Sequence, residues 1–279
     1  MLPALAAAAP GPKGSLVIIG GGSRGPAIMQ EFLRLAGGSG AVLAVFPMAS
    51  SLAATMGEEL TAEFRRLGAR EVRYLNLSRA EADSEAVLER LKGVTGVYFA
   101  GGDQSRLMDV LRGTRTARRL HELYRAGAAV CGTSAGAAVM SRMMITGDER
   151  FNKDPDNGFF MIRSTNILTA EGFGFLENAI VDQHFLRRKR HNRLLTLVLE
   201  HPQLLGIGID EATAVVVRPG GLFEVFGDST VLVLDAAKAS KTTRDPAGNL
   251  AAAGLQLHLL RSGDRFDLSK RKPLPRKGD

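Results

Sequence analysis

Short apolar runs alternate with amphipathic segments through the first half of the chain. The apolar runs lie at residues 16–19, 41–46 and 128–131, and strand-like segments lie at 72–77 and 94–99. Segments with helical spacing of large apolar residues lie between or beside them, at 26–35, 60–67, 84–91, 105–111 and 118–124. This alternation predicts a mainly parallel sheet covered by helices on both faces. The ligand site of such a fold lies beyond the carboxyl ends of the strands, where glycines follow Ile19, Ala100 and Cys131.

The second half of the chain follows a different pattern. Residues 146–172 are polar and predict a long loop, which is often functional in a compact domain. A helix is expected at 194–200. Beyond it, β-rich runs predict antiparallel strands that extend one edge of the sheet, at 214–217, 223–226, 231–234 and 255–260.

The pattern contains no linker that would split the chain into two folded units. We therefore expect one α/β domain over residues 15–262. Residues 1–14 are expected to be disordered or to be the remnant of a tag or signal peptide, and residues 263–279 to form a basic C-terminal tail.

Composition and charge narrow the classes of protein. The 279 residues include 45% hydrophobic and 23% charged residues, as in soluble globular proteins, and the single cysteine allows no intrachain disulfide. Three tyrosines, no tryptophan and no recognition motif argue against a nucleic-acid partner despite the net charge of +7. No stretch predicts a membrane span. A cytoplasmic location is expected, with secretion as the alternative if the N-terminus is a trimmed signal peptide.

A Gly-x-Ser-x-Gly motif spans residues 132–136, after an apolar run and before a small-residue helix. This context is typical of a nucleophile elbow, in which the serine occupies a sharp strand-to-helix turn. Small neighbours are needed where strand and helix nearly touch, and the free N–H of Ala135 faces a developing oxyanion. The motif predicts a hydrolase with Ser134 as its nucleophile. Cys131 is interpreted as a buried structural residue instead.

A serine nucleophile needs a base, and His184 is the best placed candidate. The histidines are His121, His184, His191, His201 and His258. His184 follows the apolar run 179–181 and so stands at a strand end, whereas His191 is a weaker candidate. The third member would be a carboxylate that fixes the imidazole tautomer. Asp210 and Glu211 both follow another strand end, and since adjacent residues point to opposite faces, only one of them reaches the histidine.

Four ordered motifs resemble one known family. They are GGDQ at 101–104, GTSAGA at 132–137, DQHF at 182–185 with trailing arginines, and GIGIDE at 206–211. Over about residues 15–235 the chain resembles the cyanophycinases, which belong with the dipeptidase E-like serine peptidases. The resemblance implies a three-layer α/β/α sandwich similar to class I glutamine amidotransferases, and a homodimer. It also implies exolytic hydrolysis of cyanophycin, a poly-aspartate carrying arginine on its side-chain carboxyls, to β-aspartyl-arginine dipeptides.

The same resemblance implies roles for individual residues. Ser134 would be the nucleophile, His184 the base and Glu211 its orienting partner, with the N–H groups of Gly102 and Ala135 as the oxyanion hole. The substrate pocket would be lined by Gln104, Asp182, Gln183, Arg188, Arg190 and Arg193. Arginines suit the carboxylates of a zwitterionic polymer, and Asp182 suits a substrate guanidinium. Ideal helical spacing puts Arg190 and Arg193 on one face and turns Arg188 away, so either Arg188 precedes that helix or the helix is irregular.

Alternative functions remain open at this stage. The same residues would serve a related serine dipeptidase acting on other aspartyl or β-aspartyl peptides. A second alternative is a dinucleotide-binding protein, because residues 20–25 match Gly-x-Gly-x-x-Gly. That fingerprint also requires an acidic residue about 20 positions later, at the end of the next strand, but residues 46–51 contain none and the next acid after them is Glu58. The histidines show no metal-ligand spacing, and neither a metal nor another cofactor is expected.

Overall fold

The computed structural model describes residues 11–152, 154 and 158–276, apart from the side chain of Lys241. In the first half the elements are β1 (Leu16–Ile19), α1 (Pro26–Leu35), β2 (Val42–Phe46), α2 (Ala53–Arg66), β3 (Glu71–Tyr74), α3 (Glu85–Arg90), β4 (Gly96–Phe99), α4 (Gln104–Leu111), α5 (Arg115–Ala126), β5 (Ala129–Thr133) and α6 (Ala135–Ala138). The predicted alternation of strands and helices is confirmed.

The second half is richer in strands. Its elements are β6 (Met143–Glu149), β7 (Ile167–Glu171), β8 (Ala179–Gln183), α7 (His191–Glu200), β9 (Leu205–Ile209), β10 (Thr213–Arg218), β11 (Leu222–Gly227), β12 (Thr230–Asp235), β13 (Lys241–Arg244), β14 (Leu250–Ala253), β15 (Gln256–Arg261), β16 (Arg265–Asp267) and β17 (Lys272–Leu274).

Side-chain caps fix where several helices begin. The Asp103 carboxylate accepts hydrogen bonds from the first-turn amides of α4, including Ser105 N at 2.7 Å. Thr114 caps α5 and Ser84 caps α3 in the same way. Each cap satisfies amides that a helix leaves without an intrahelical acceptor, which stabilises the helix start by about 1 kcal/mol. The helices that follow strand ends are therefore held at defined positions.

A nine-stranded sheet forms the centre of the molecule, in the order β17-β16-β11-β10-β1-β5-β4-β2-β3. The five strands from β1 to β3 in this order are parallel, and the four beyond β1 are antiparallel. Alternate strand residues face two apolar clusters, one packed on α1 and α2 and the other on α4, α5 and α6. The expected α/β/α sandwich with an antiparallel extension is thus confirmed.

A second sheet was not predicted as a separate unit. Strands β15-β12-β9-β8 form a four-stranded sheet in which β8 and β9 are parallel. One face packs on the central core, and α7 covers the other. The prediction that all the antiparallel strands extend one edge is therefore half right: β10 and β11 do, whereas β12 and β15 pair in the second sheet.

Two boundary predictions need correction. The expected tail at 263–279 is not free over residues 265–274, because β16 pairs with β11 and β17 pairs with β16 within the central sheet, while residues 277–279 lie outside the described residues. Residues 146–172 are not one long loop, because β6 and β7 pair as an antiparallel hairpin. Of residues 1–14, those at 1–10 lie outside the described residues, while Lys13 and Gly14 donate backbone hydrogen bonds to the end of α5.

Candidate active site

The Gly-x-Ser-x-Gly motif at 132–136 forms a sharp turn between β5 and α6. Ser134 has φ 54° and ψ −113°, a backbone conformation that only glycine adopts without strain. Its N–H donates to the Ile19 carbonyl at 3.1 Å, and the amides of Ala137 and Ala138 donate to its own carbonyl. The strained residue is thus held from both sides, and its side chain is presented at the carboxyl end of the sheet.

Close packing explains the glycines on either side of the serine. A Cβ at Gly132 would collide with the Gly136 carbonyl group, and a Cβ at Gly136 would collide with the carbonyl group of Phe99. Because these contacts are to backbone atoms, no side-chain rotation could relieve them. Glycine at both positions lets strand, turn and helix approach closely enough to form the elbow.

Three side chains from different elements form a connected hydrogen-bonded line. Ser134 Oγ lies 2.8 Å from His184 Nε2, and His184 Nδ1 lies 2.6 Å from Glu211 Oε1. The His184 side chain is only 9% exposed, whereas that of Glu211 is 32% exposed. With a neutral ring, the hydroxyl donates to Nε2 while Nδ1–H donates to the carboxylate. This is the geometry of a nucleophile, a base and a group that orients the base.

The two adjacent carboxylates, Asp210 and Glu211, have different partners in the structure. Glu211 contacts the imidazole, whereas Asp210 accepts hydrogen bonds from the backbone amides of Leu186 and Arg187 at 3.1 and 2.9 Å. Asp210 also accepts from Ser229 Oγ at 2.8 Å. Asp210 therefore fixes the segment that follows His184, and the two carboxylates hold the histidine and its loop from different sides.

The glycine cluster after β1 has a role that sequence reasoning missed. The Gly20 carbonyl accepts the N–H of His184 at 2.7 Å, and the Gly21 carbonyl accepts the N–H of Ala212 at 2.9 Å. A Cβ at Gly21 would collide with the imidazole ring, and one at Gly22 would lie 2.9 Å from the Glu211 Cβ. The glycines make room for the site's own side chains, and this packing explains their presence without a dinucleotide.

The proposed oxyanion donors lie beside the elbow. Ala135 is the first residue of α6, and Gly102 follows β4 with φ 137°. A side chain at Gly102 would collide with the backbone of Ala49 and Ser50. Within the described part of the chain, neither N–H donates to a backbone carbonyl, so both remain available for an oxyanion.

The expectation that Asp182 and Arg193 line the substrate pocket needs correction. The Asp182 carboxylate is 1% exposed and accepts hydrogen bonds from Arg193 through Nε, at 2.7 Å, and through Nη2. Arg193 is 2% exposed, so neither side chain lines an open pocket. The hypothesis that Asp182 holds a substrate guanidinium is revised, because the chain's own arginine already occupies the carboxylate.

The remaining pocket candidates lie on three segments, with Gln104 at the start of α4, Gln183 at the end of β8, and Arg188 and Arg190 before α7. Arg190 Nη1 donates to the backbone carbonyl and the side-chain oxygen of Gln183, at 2.7 and 2.6 Å. Gln104 Nε2 donates to the carbonyls of Ile145 and Thr146 in β6. Arg188 is exposed and, as expected, precedes α7. These contacts tie Gln104 to the hairpin and Gln183 to the arginine segment.

Comparison with known proteins identifies the family of this chain. Residues 16–225 match the model of peptidase family S51. The chain belongs to peptidase family S51. It is 34% identical over 273 residues to a cyanophycinase from Geminocystis herdmanii, covering 94% of this chain and 96% of that protein. A cyanophycinase from Trichormus variabilis is 35% identical over 271 residues, covering 94% of this chain and 88% of that one.

Solved structures agree with the S51 assignment. A peptidase from an acI-B1 actinobacterium has a TM-score of 0.67 and 27% identity, covering 92% of this chain and 97% of that one. A putative peptidase E protein from Listeria monocytogenes has a TM-score of 0.51 at 16% identity, covering 77% of this chain and 99% of that one, and shows a shared fold. This S51 chain is therefore a serine peptidase, as the elbow motif predicts.

Electrostatics favour the neutral form of the S51 histidine. Burial lowers the pKa of His184, its hydrogen bond to Glu211 opposes that change, and the nearby positive charges of Arg188 and Arg190 lower the pKa further. The pKa of Arg190 is itself lowered to about 10 by burial and by Arg193 and Arg188. His184 is consequently unprotonated at neutral pH, as a base that accepts the serine proton must be.

Among residues 11–152, 154 and 158–276, no group of three or more histidine, cysteine, aspartate or glutamate side chains could hold a metal ion. None of the helices in that part of the chain is long and apolar enough to cross a bilayer.

Proposed function

We propose that this S51 peptidase hydrolyses cyanophycin exolytically and releases β-aspartyl-arginine dipeptides through an acyl-enzyme on Ser134. The observation that carries the proposal is the Ser134–His184–Glu211 line in a chain about a third identical, over most of its length, to curated cyanophycinases. A resemblance in name alone would not provide a mechanism, whereas this geometry does.

The proposed first half-reaction is attack of Ser134 Oγ on a backbone carbonyl carbon of the polymer. His184 Nε2 takes the hydroxyl proton and later gives it to the leaving amine, while Glu211 keeps Nδ1 protonated and stabilises the charged ring. The N–H groups of Gly102 and Ala135 stabilise the tetrahedral oxyanion. Water, activated by the same histidine, then cleaves the acyl-enzyme and regenerates the serine.

Charge complementarity supports a substrate that carries carboxylates. Arg188 is exposed next to the catalytic histidine and, among the described residues, forms no ion pair. Arg190 is mostly buried and uses Nη1 for Gln183, so its other guanidinium nitrogens remain for a ligand. Arginine binds carboxylates through paired, charge-assisted hydrogen bonds. We assign these two arginines to substrate carboxylates, with Gln104 and Gln183 as neutral partners.

The second candidate is a related serine dipeptidase that acts on other aspartyl or β-aspartyl peptides. It is favoured by the hairpin of β6 and β7, which borders Gln104 and can restrict the length of the substrate. A homodimer is part of our proposal, to be tested by analytical ultracentrifugation. We also propose a cytoplasmic location, with secretion as the alternative, because the one cysteine suits a reducing compartment.

The direct test is incubation of the purified protein with cyanophycin, followed by mass analysis of the soluble products. The proposal predicts β-aspartyl-arginine dipeptides from the first time points, with no longer fragments, and no products from Ser134→Ala. Longer fragments at early times would contradict exolytic cleavage. No release from cyanophycin, with cleavage of short β-aspartyl peptides, would favour the dipeptidase.

A further inference from the structure

A buried carboxylate anchors the segment that joins β6 to β7. Glu149 is 7% exposed at the end of β6. It accepts hydrogen bonds from Asn166 Nδ2 at 2.8 Å and from the Phe159 backbone N–H at 2.5 Å. A buried carboxylate is costly unless its oxygens are well bonded, so these partners are strongly held. Glu149 therefore fixes where Phe159 stands.

The Phe159 ring covers a charge that belongs to the active-site region. Its backbone has φ 60°, which is strained for a non-glycine residue. The ring centroid lies 4.8 Å from Cζ of Arg193. Next to it, the Phe160 carbonyl accepts from Asn192 Nδ2 at 3.4 Å. The segment thus packs on the first turn of α7, with an aromatic face against the guanidinium.

The Arg193 guanidinium contacts two groups in different ways. Asp182 accepts hydrogen bonds from its Nε and Nη2, and Phe159 covers its face. Cation–π contacts are strongest where the cation is shielded from water, as Arg193 is. Without the ring, the arginine would keep its carboxylate but lose the contact that covers the face of its guanidinium.

Asp182 connects the Arg193 guanidinium to the pocket residues Gln183 and Arg190. Its Oδ1 accepts the backbone N–H of Gln183 at 2.8 Å and lies 3.8 Å from Arg190 Nη1. Arg190 in turn bonds the side-chain oxygen of Gln183. A rotation of the Asp182 carboxylate would therefore change the positions of both pocket residues. His184 is held separately by Gly20, Ser134 and Glu211.

We propose that Phe159, anchored by Glu149, is a positioning residue that holds the Arg193–Asp182 pair and thereby sets the substrate-binding geometry of Gln183 and Arg190. The effect on KM that this inference predicts rests on the proposed function, because it is measured with cyanophycin as the substrate. It assigns a role to the connection between β6 and β7 that the catalytic geometry does not use. The expected signature is weaker substrate binding with normal chemistry.

The test compares Phe159→Leu, which keeps apolar bulk but loses the aromatic face, with Phe159→Tyr, which keeps both. We expect Phe159→Leu to raise KM about tenfold and to change kcat by less than about twofold. Phe159→Tyr is expected to have nearly the wild-type KM. The matched control is Phe151→Leu, because the Phe151 ring also covers an arginine, Arg163 at 3.7 Å, but at a more exposed place away from the triad.

The outcomes separate this inference from the proposed function. If the wild-type protein cleaves cyanophycin and Phe159→Leu keeps its KM, or loses only kcat, the positioning role is wrong. If the wild-type protein does not cleave it, the proposed function fails. Positioning is then judged from the ¹⁵N-detected Nε–H resonance of Arg193, which should lose its ring-current shift in Phe159→Leu. An unchanged resonance would overturn the inference. Equal KM increases in Phe151→Leu and Phe159→Leu would also overturn it.

Discussion

Gly21→Ala is the substitution that probes the packing of His184 most sharply. An alanine Cβ at this position would stand 2.5 Å from His184 Nε2 and 2.9 Å from Nδ1. Ordinary contacts between such atoms are about 3.5 Å, so the ring or the glycine segment must move by about 1 Å. The backbone has φ 109°, which adds strain for any residue with a side chain.

The expected cost follows from how far the reacting atoms are displaced. A shift of about 1 Å in a catalytic group can reduce the rate about 10²-fold. His184 cannot retreat freely, because its N–H is bonded to Gly20 and its ring to both Ser134 and Glu211. We therefore expect kcat/KM for cyanophycin to fall about 10²-fold. A side chain at a sparsely populated positive φ costs about 1–3 kcal/mol, so the protein should still fold.

Gly25→Ala is the matched control in the same segment. Gly25 has φ −50°, and nothing lies within 4 Å of where its Cβ would be. The assay measures dipeptide release together with melting temperature and circular dichroism for both variants. Wild-type activity in Gly21→Ala would refute the packing argument. Equal losses in the two variants would indicate that the whole glycine segment binds a ligand, as the dinucleotide fingerprint requires.

Three further predictions concern the charges around the site. Activity should fall at acidic pH as His184 becomes protonated. Because the Arg188 charge lowers the pKa of His184, Arg188→Gln should move the acidic limb of the kcat/KM profile to higher pH. An acidic limb that does not move would contradict this. Glu211→Gln removes the interaction that raises the same pKa, so its limb should move to lower pH while kcat falls about 10²- to 10⁴-fold, and wild-type kcat would exclude the orienting role. Asp182→Asn leaves Arg193 buried without its counter-charge and should destabilise the protein by about 3–5 kcal/mol in urea unfolding; a loss below about 1 kcal/mol would show that the pair contributes little.

The hydrophobic pattern of the sequence predicted much of the fold, and the strand pairings that it did not predict have identifiable causes. Buried parallel strands are continuous apolar runs, so β1, β2, β4 and β5 could be predicted from the sequence. The later runs are equally strand-like, but their pattern does not specify a partner strand. The split of β10 and β12 between two sheets therefore had to come from the structure. Strands β16 and β17 have only three residues each and include Arg265, Asp267 and Lys272, so the sequence did not indicate their pairing.

The site was partly predictable for the same reason. Ser134, His184 and Glu211 each follow a strand end, and strand ends of this fold converge on one edge. Sequence reasoning could not see that Arg193, eleven residues after Asp182, would occupy that carboxylate. It also missed the contact of Phe159 with Arg193, since neither spacing nor motif joins a connecting segment to a helix. The glycines at 20–22 are a visible feature of the sequence, but only the structure shows that they pack against His184 and Glu211.

The most direct test of the central claim is to quench the reaction with cyanophycin during turnover and locate the acyl group by mass spectrometry. The tryptic peptide of residues 126–142 contains both Ser134 and Cys131. Fragmentation of this peptide in the mass spectrometer must therefore assign the added mass to one of the two residues. The account predicts an acyl group on Ser134, absent from Ser134→Ala, which should also lose hydrolysis while keeping its melting temperature. An adduct on Cys131, or wild-type turnover by Ser134→Ala, would contradict it.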